Sequence, residues 1–361
     1  MANFKAIPHR AVSMQETRGL EQWRWVPYGM PWLSQIFEQA VIYLYGRNVK
    51  TGEWGLGGTG FLFGYPSDMK GPNHIYAVTN WHVAVSGSFS SIRLCSRSGR
   101  DFIELEPHDW IYLSRQDDLA LVDITDLLDP DHDDVTVLDA HMAVDQEYAD
   151  QAEIGFGDDV FMLGMFANSP GDQRNAPVAR FGNIARLPSD DALIAQETGA
   201  ETPCYLIDMR SRTGFSGSPV FVYRTLTSDL RPLTDGGPIS ISGENTMLNL
   251  LGVHCGQYPE RFEAKRTEAT GDPISEGDHL QGPSAMNVVI PAWRIFDVLD
   301  HPDLKAMRME REARRAKQGR DRPELKSIPE PPTKADNPSH KEDFSRLLTS
   351  VTTGKPRDDQ T

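Results

Sequence analysis

A serine between two glycines is the residue of this chain best suited to act as a nucleophile. Ser216 lies in the segment 213–219 (TGFSGSP), which is typical of a tight turn and is followed at once by β-forming residues. A serine hydroxyl is a weak nucleophile at neutral pH and needs a base that takes its proton during the attack. The segment therefore predicts catalysis only if another part of the chain supplies that base.

Two upstream segments offer the missing groups. His82 follows one β-like run, and Asp118 precedes another. Histidine can accept the proton because its ordinary pKa is about 6.5. A buried carboxylate can hold the ring in the tautomer that leaves one nitrogen free for the serine. The backbone N–H groups of Gly214 and Ser216 would form an oxyanion hole, which stabilises the negative oxygen of the attacked carbonyl. Together these residues predict acyl transfer, with His82, Asp118 and Ser216 as catalytic residues.

Each segment also has an ordinary structural explanation. A serine flanked by glycines is common in turns, a histidine after an apolar strand is often a core residue, and an aspartate before a strand often caps a turn. The combination is more specific than its parts, because all three segments lie at the edge of a β-like run. We therefore favour the catalytic interpretation.

The order His82, Asp118, Ser216 resembles that of the trypsin-like serine peptidases (chymotrypsin fold, PA clan) of bacterial type. Five short segments between about residues 35 and 300 carry the resemblance, including strands at 250–256 and 287–291. It implies an all-β fold of two six-stranded antiparallel β-barrels with the active site between them, then a C-terminal helix and a disordered tail. It also implies a serine endopeptidase that works through an acyl-enzyme. No cofactor and no metal are expected.

Two residues of the serine segment depart from the family pattern. Phe215 stands where animal members carry an aspartate that pairs with a freshly cut N-terminus. Phenylalanine cannot form that ion pair, so we expect a chain that folds directly into a competent form. Ser218 replaces a second glycine, as it does in bacterial glutamyl endopeptidases.

The residues that bind substrate are less clearly indicated. His254 stands where glutamyl endopeptidases use a histidine to bind a substrate carboxylate, and the nearby Arg210 would add positive charge. His254 is equally interpretable as a packed core residue, and a small apolar preference is the main alternative. The predicted substrate-binding residues are Arg210, Val253, His254, Cys255 and Gly256.

Composition narrows the possible partners. The 361 residues carry a formal charge of −16, which disfavours nonspecific binding to nucleic acid or to anionic membranes. The three cysteines (Cys95, Cys204 and Cys255) are odd in number and lack metal-type spacing, which favours free thiols in a reducing compartment. No secretory signal and no long apolar run are evident, so we expect a cytoplasmic protein. Its expected partner is a protein or peptide substrate.

The sequence suggests four parts. They are an N-terminal arm (1–34), a first barrel with the histidine and aspartate (35–135), a second barrel with the serine (136–300), and a charged helical segment with a disordered tail (301–361). The tail could dock on a partner. Two long loops, 225–245 and 258–284, are expected in the second half. The alternative function is a catalytically silent binding or scaffold protein of the same fold. An esterase of the α/β-hydrolase type is disfavoured, because its serine precedes the acid and the histidine.

Overall fold

The structure of the protein is a computed structural model that describes most of residues 35–321. The described ranges are 35–48, 51–67, 73–94, 102–128, 136–171, 174–196, 199–211, 214–224, 247–263 and 279–321. The predicted N-terminal arm, the predicted disordered tail, the loop 225–245 and Cys95 lie outside the described residues. The chain divides into two units, Met1–Arg308 and Met309–Thr361, and every strand of the described residues lies in the first.

The first half is a seven-stranded sheet that follows the short helix α1 (Gln35–Ala40). Its path runs β5-β4-β1-β2-β3-β6, with antiparallel pairing throughout, and a seventh strand pairs parallel to β2. The strands are β1 (Val41–Arg47), β2 (Trp54–Tyr65), β3 (His74–Thr79), β4 (Ser91–Arg93), β5 (Phe102–Ile103), β6 (Ala120–Asp123) and β7 (Leu138–Asp139).

The second half is a closed six-stranded antiparallel barrel, in the order β12-β15-β14-β13-β8-β9. Helix α2 (Gln146–Gln151) leads into it, and a small two-stranded sheet lies within its sequence. The strands are β8 (Asp159–Gly164), β9 (Val178–Arg186), β10 (Ile194–Ala195), β11 (Glu201–Thr202), β12 (Tyr205–Asp208), β13 (Pro219–Arg224), β14 (Met247–Glu263) and β15 (His279–Pro291).

A shared hydrophobic core lies between the two halves. Alternate residues of a strand point to opposite faces. Along β1, Val41 and Tyr43 therefore enter this shared core, whereas Ile42 and Leu44 enter the interior of the first sheet. Phe161 on β8 enters the shared core as well, and its neighbours on the strand face the barrel interior. Strands buried on both faces need continuous apolar runs, as these strands have.

The all-β prediction is confirmed, and the second half closes as a six-stranded barrel. The first half differs from the predicted closed barrel. In the described part of the chain its path ends at β5 and β6, which do not pair with each other. β5 has only two residues, and an isolated bridge between Ile111 and Leu121 occupies part of the β6 edge. This sheet therefore curls without closing.

Two helices follow the barrel, as the sequence predicts. Helix α3 (Trp293–Leu299) buries Ile295, Val298 and Leu299 in the shared core, and helix α4 spans Pro302–Asp321. Arg308 fixes the start of α4, because its guanidinium donates to the Tyr76 hydroxyl (3.0 Å) and to the Leu299 carbonyl (2.8 Å).

The predicted loop 258–284 is wrong at both of its ends. β14 and β15 continue as a hairpin as far as the pair Glu263 and His279, so residues that the sequence assigned to a loop are paired strand residues. Residues 258–263 (YPERFE) and 279–284 (HLQGPS) each contain a proline and lack a regular apolar alternation, so the sequence did not predict the hairpin. Residues 264–278 lie outside the described residues.

Candidate active site

His82 begins a short helical turn that follows strand β3 after two residues. The turn spans His82–Ser86 and buries Val83 and Ala84, whose N–H groups donate to the Asn80 carbonyl (3.2 and 3.1 Å). The apolar residues thus fix the turn to the core, while the His82 side chain keeps 23% of its surface exposed. The His82 side chain is therefore fixed to the core through its backbone and stays partly exposed.

Asp118 contacts His82 at two points. Its carboxylate accepts from ring Nδ1 (2.8 Å to Oδ2 and 3.0 Å to Oδ1) and from the His82 backbone N–H (2.9 Å). The Asp118 side chain is fully buried. Because a carboxylate only accepts, this contact keeps a proton on Nδ1 and leaves Nε2 able to take another. A histidine held in this way can serve as a general base.

Strand register explains why these two residues meet. β3 and β6 are antiparallel neighbours, and Thr79 at the end of β3 is opposite Ala120 at the start of β6. Residues just after the first strand and just before the second therefore share one edge. Asp118 has left-handed backbone angles (φ 47°, ψ 34°), which aspartate tolerates better than most residues. Asn80 fastens the same edge by donating to the Asp118 carbonyl (2.9 Å).

The serine segment forms a tight turn at the start of β13. Gly214 (φ +101°) and Gly217 (φ +85°) take conformations that favour glycine, and the Ser218 N–H donates to the Phe215 carbonyl (3.0 Å). The Ser216 side chain is half-buried. The predicted glycine-rich turn is therefore present, with its serine at the corner.

Thr59 on β2 anchors this turn to the first half. Its N–H donates to the Ser216 carbonyl (2.8 Å), and its hydroxyl donates to the Gly214 carbonyl (2.6 Å). Thr79 supports Thr59 in turn, because its hydroxyl donates to the Thr59 carbonyl (2.6 Å). Both threonines are fully buried. Thr79 is also three residues from His82, so one buried chain of hydrogen bonds links the serine turn to the histidine strand.

Two glycines show how closely the segments approach. A Cβ atom at Gly217 would lie 2.0 Å from the Thr59 carbonyl oxygen and 2.3 Å from the Thr79 hydroxyl. A Cβ atom at Gly58 would lie 2.9 Å from a methyl of Val83 and 3.1 Å from the Ser216 carbonyl oxygen. Val83, the residue after His82, and the backbone of Ser216 therefore both lie close to Gly58. A contact between the Ser216 hydroxyl and the His82 ring is part of the proposed function.

Phe215 holds the turn from the barrel side. Its ring is fully buried in the barrel interior, and the Arg180 guanidinium lies 5.7 Å from the ring centroid. A Cβ atom at Gly164 would lie 2.3 Å from both the Phe215 ring and the Ser218 hydroxyl, so the turn packs directly on the β8 backbone. Phe215 is thus a buried apolar plug and forms no ion pair, as its residue type predicts.

The structure places the predicted substrate-binding residues in two different environments. Arg210 is exposed, and its neighbour Ser211 accepts from the Gln257 amide (2.9 Å) on β14. The other four predicted residues, on β14, are buried. These are Val253, His254, Cys255 and Gly256.

The His254 ring is not at a surface where a substrate could reach it. It is 2% exposed, with Nδ1 3.0 Å from the Phe215 carbonyl oxygen and Nε2 3.0 Å from Asn287 Oδ1. Burial lowers the pKa of His254, the two hydrogen bonds partly oppose this effect, and the charge of His82 lowers the pKa further. The geometry corresponds to the packed core residue that the sequence offered as the alternative.

Sequence reasoning missed Thr59, Thr79, Asn80 and Asn287. Thr79 and Asn80 lie three and two residues before His82, so their positions beside a predicted catalytic residue were a usable signal. For Thr59 and Asn287 there was no such signal, because their hydrogen bonds join residues 155 and 33 positions apart in the chain.

The described part of the chain contains no group of three His, Cys, Asp or Glu side chains able to share a metal ion. No helix in the same residues combines the length and the apolar character needed to cross a membrane.

Comparisons with known proteins find similarity only among solved structures. No family model matches the chain, and no curated protein matches it. Similar structures include Deg5 (15% identity over 61% of this chain and 81% of that one, TM-score 0.35). They also include the Rv3671c protease from M. tuberculosis in an active form (16% identity, 78% and 92% coverage, TM-score 0.39) and an inactive form (17%, 73% and 88%, TM-score 0.35). The chain is thus similar to solved structures that include a protease.

Proposed function

We propose that this protein is a serine endopeptidase that hydrolyses peptide bonds through Ser216, His82 and Asp118. One observation carries the proposal: a buried carboxylate holds both the ring and the backbone of His82 at the sheet edge where the glycine-flanked serine is anchored. A core histidine would need neither a partly exposed side chain nor a serine turn tied to its strand. The alternative of a silent binding protein gives no reason for this arrangement.

The proposed reaction has two halves. His82 Nε2 takes the proton of the Ser216 hydroxyl while Oγ attacks the peptide carbonyl carbon. The tetrahedral intermediate collapses as the C–N bond breaks, and the same proton goes to the leaving amine. Water then attacks the acyl-enzyme and gives one proton to His82. The bond to Ser216 Oγ breaks, the acid leaves, and His82 returns the proton to Ser216. Asp118 stabilises the imidazolium in both halves, and the Gly214 and Ser216 N–H groups stabilise the oxyanion.

The substrate is proposed to lie extended along β14. The serine turn is hydrogen-bonded to β14 at His254. The Gly217 N–H donates to the His254 carbonyl (2.8 Å), and the His254 N–H donates to the Ser218 carbonyl (2.9 Å). A substrate strand would continue this pairing from Cys255 onward. His254 is buried, so only the exposed Arg210 supports a preference for Glu or Asp at the cleaved bond of the substrate. A preference for small apolar residues is the alternative proposal.

A fluorophosphonate probe tests the function, because it reacts only with an activated serine. Wild-type protein is expected to be labelled, and Ser216→Ala is expected to lose the label entirely. A peptide library then gives the cleavage preference. Equal labelling of Ser216→Ala would reject Ser216 as the nucleophile. A wild type that is neither labelled nor able to cleave any library peptide would favour the silent binding protein.

We also propose the cytoplasm as its location. The support is the odd number of cysteines and the state of Cys204, which is buried and outside any disulfide. Burial raises the pKa of the Cys204 thiol, which keeps it protonated and unreactive. Immunolocalisation or fractionation would test this proposal.

A further inference from the structure

His254 lies between two acceptors that the fold holds in place. Nδ1 faces the Phe215 carbonyl and Nε2 faces Asn287 Oδ1, each at 3.0 Å. The orientation of Asn287 is fixed, because its amide nitrogen donates to the Met209 carbonyl and to the Ala285 carbonyl (2.9 Å). Carbonyl oxygens cannot donate, so the side-chain oxygen of Asn287 must point at the histidine. The ring is therefore held in one orientation.

The Phe215 carbonyl belongs to the peptide group that ends in the Ser216 N–H. Among the described residues no peptide bond is cis, and a trans peptide is planar with its C=O and N–H pointing in opposite directions. A bond that fixes the carbonyl oxygen of Phe215 thus fixes the direction of the Ser216 N–H. That N–H is one of the two proposed oxyanion donors.

The peptide group needs this control because it lies between two glycines with positive φ. Gly214 (φ +101°) and Gly217 (φ +85°) give the turn conformational freedom on both sides. The Ser218 N–H also donates to the Phe215 carbonyl (3.0 Å), but it belongs to the same turn and moves with it. His254 is on β14, inside the closed barrel, and so supplies a fixed reference outside the turn.

We propose that His254 is a positioning residue that holds the Phe215–Ser216 peptide, so that the Ser216 N–H points into the oxyanion hole. This inference rests on the proposed function. The imidazolium and the neutral ring with hydrogen on Nδ1 both keep the bond to Phe215. Only the neutral ring with hydrogen on Nε2 loses it. The residue therefore acts on the chemical step through the backbone and does not touch the substrate.

Labelling kinetics with the fluorophosphonate probe test this role, because the phosphonyl oxygen of the probe occupies the oxyanion hole. Loss of a whole oxyanion donor costs about 10² to 10³ in rate, so a misdirected donor in His254→Phe should lower the maximum labelling rate about 10-fold to 100-fold. The half-saturating probe concentration should change by less than about twofold, since ground-state binding does not use this donor. His254→Gln, which can still donate to Phe215, should recover part of the rate.

The matched control is Val289→Ala. Val289 is buried and lies opposite His254 in the register of β14 and β15, but it is an aliphatic residue with no side-chain hydrogen bond. It reports the effect of a cavity at the same depth in the barrel. If His254→Phe slows labelling no more than Val289→Ala does, or if His254→Gln is as slow as His254→Phe, the positioning role is wrong.

A second measurement does not depend on activity or on a folded variant. In wild-type protein with ¹⁵N-labelled histidine, the ring shifts of His254 should show hydrogen on Nδ1. A neutral ring with hydrogen only on Nε2 would overturn the inference even if the enzyme is active. A wild type that the probe does not label would instead reject the proposed function, whatever the ring shifts show.

Discussion

The Asp118 carboxylate holds His82 at its ring and at its backbone together, through Nδ1 (2.8 Å) and the main-chain N–H (2.9 Å). The two bonds come from a side chain that is fully buried, so neither competes with water. The second bond ties the orientation of the ring to the start of the helical turn. A single aspartate therefore sets both the tautomer of the imidazole and the position of its backbone.

Asp118→Asn should abolish most turnover with little change in stability. The amide has the shape of the carboxylate but presents a donor, so the ring loses the partner that fixes its tautomer and stabilises its charge. If the proposed function holds, kcat for the best library peptide should fall by about 10⁴, as the same substitution does in a serine protease with this triad. The thermal midpoint should change little, because the shape of the side chain is kept.

Asp117→Asn is the control for this prediction. Asp117 is the adjacent acid, but its carboxylate pairs with Arg294 (2.5 Å) on helix α3 and not with His82. It should keep near wild-type turnover. A large loss in Asp117→Asn together with normal turnover in Asp118→Asn would assign the acid role to Asp117.

Gly217→Ala should separate the serine turn from Thr59. The new Cβ atom would lie 2.0 Å from the Thr59 carbonyl oxygen, so the turn or β2 must move. The backbone strain of a non-glycine residue at positive φ adds about 1–2 kcal/mol. We expect both a lower free energy of unfolding in urea and a loss of probe labelling of about tenfold or more, by analogy with the effect of misplaced catalytic groups.

Gly157→Ala distinguishes contact from backbone strain. Gly157 has nearly the same φ (+84° against +85°), but no atom lies within 4 Å of the position that a Cβ atom would take there. Gly157→Ala should therefore lose only the stability that backbone strain costs, and the probe should label it at the normal rate. If the two variants lose the same stability and both are labelled at the wild-type rate, the close approach of the turn to Thr59 has no functional role.

The sequence could indicate the segments of the proposed site because each lies next to a strongly β-forming run. His82 and Asp118 follow and precede adjacent strands, and their edge is shared once those strands pair. It could not identify Thr59 or Asn287, since their hydrogen bonds join residues 155 and 33 positions apart in the chain. Periodicity predicts strands but not closure, and the closed first barrel was expected only because the family resemblance implies it.

The residue His254 illustrates the same limit at a single position. An apolar strand around it is equally typical of a core residue and of a binding residue, so the sequence left both interpretations open. Its partners decide between them, because the Phe215 carbonyl and Asn287 occupy both ring nitrogens. These partners come from the serine turn and from β15, and only the folded barrel brings them together.

Phe215→Ala should destabilise the protein and slow Ser216. Truncating a fully buried phenylalanine typically costs about 3–5 kcal/mol, because a cavity replaces the ring. The ring packs on Gly164 and under Arg180, so its loss would also release the serine turn. Urea unfolding measures the first effect and probe labelling measures the second.

Phe215→Leu is the matched variant for this prediction. It keeps an apolar plug and should preserve most of the labelling rate.

Wild-type protein should also be labelled directly after synthesis, without any cleavage of its N-terminal residues. Labelling that starts only after such cleavage would show that the plug does not replace an activation step.

The stability of the protein should fall in acid because of His254. Burial lowers the folded-state pKa of this histidine below its ordinary value of 6.5. Just below pH 6.5 the histidine is therefore protonated in the unfolded chain more often than in the folded chain. The unfolded state then holds more protons, and the free energy of unfolding decreases as the pH falls. The contribution of His254 is fully present above pH 6.5 and is lost as the pH falls through the lowered folded-state value. Urea unfolding of wild type and His254→Gln between these limits should therefore show a steeper acid loss in wild type. A wild type that gains stability relative to His254→Gln as the pH falls would mean that the two acceptors around the ring outweigh burial and raise its pKa.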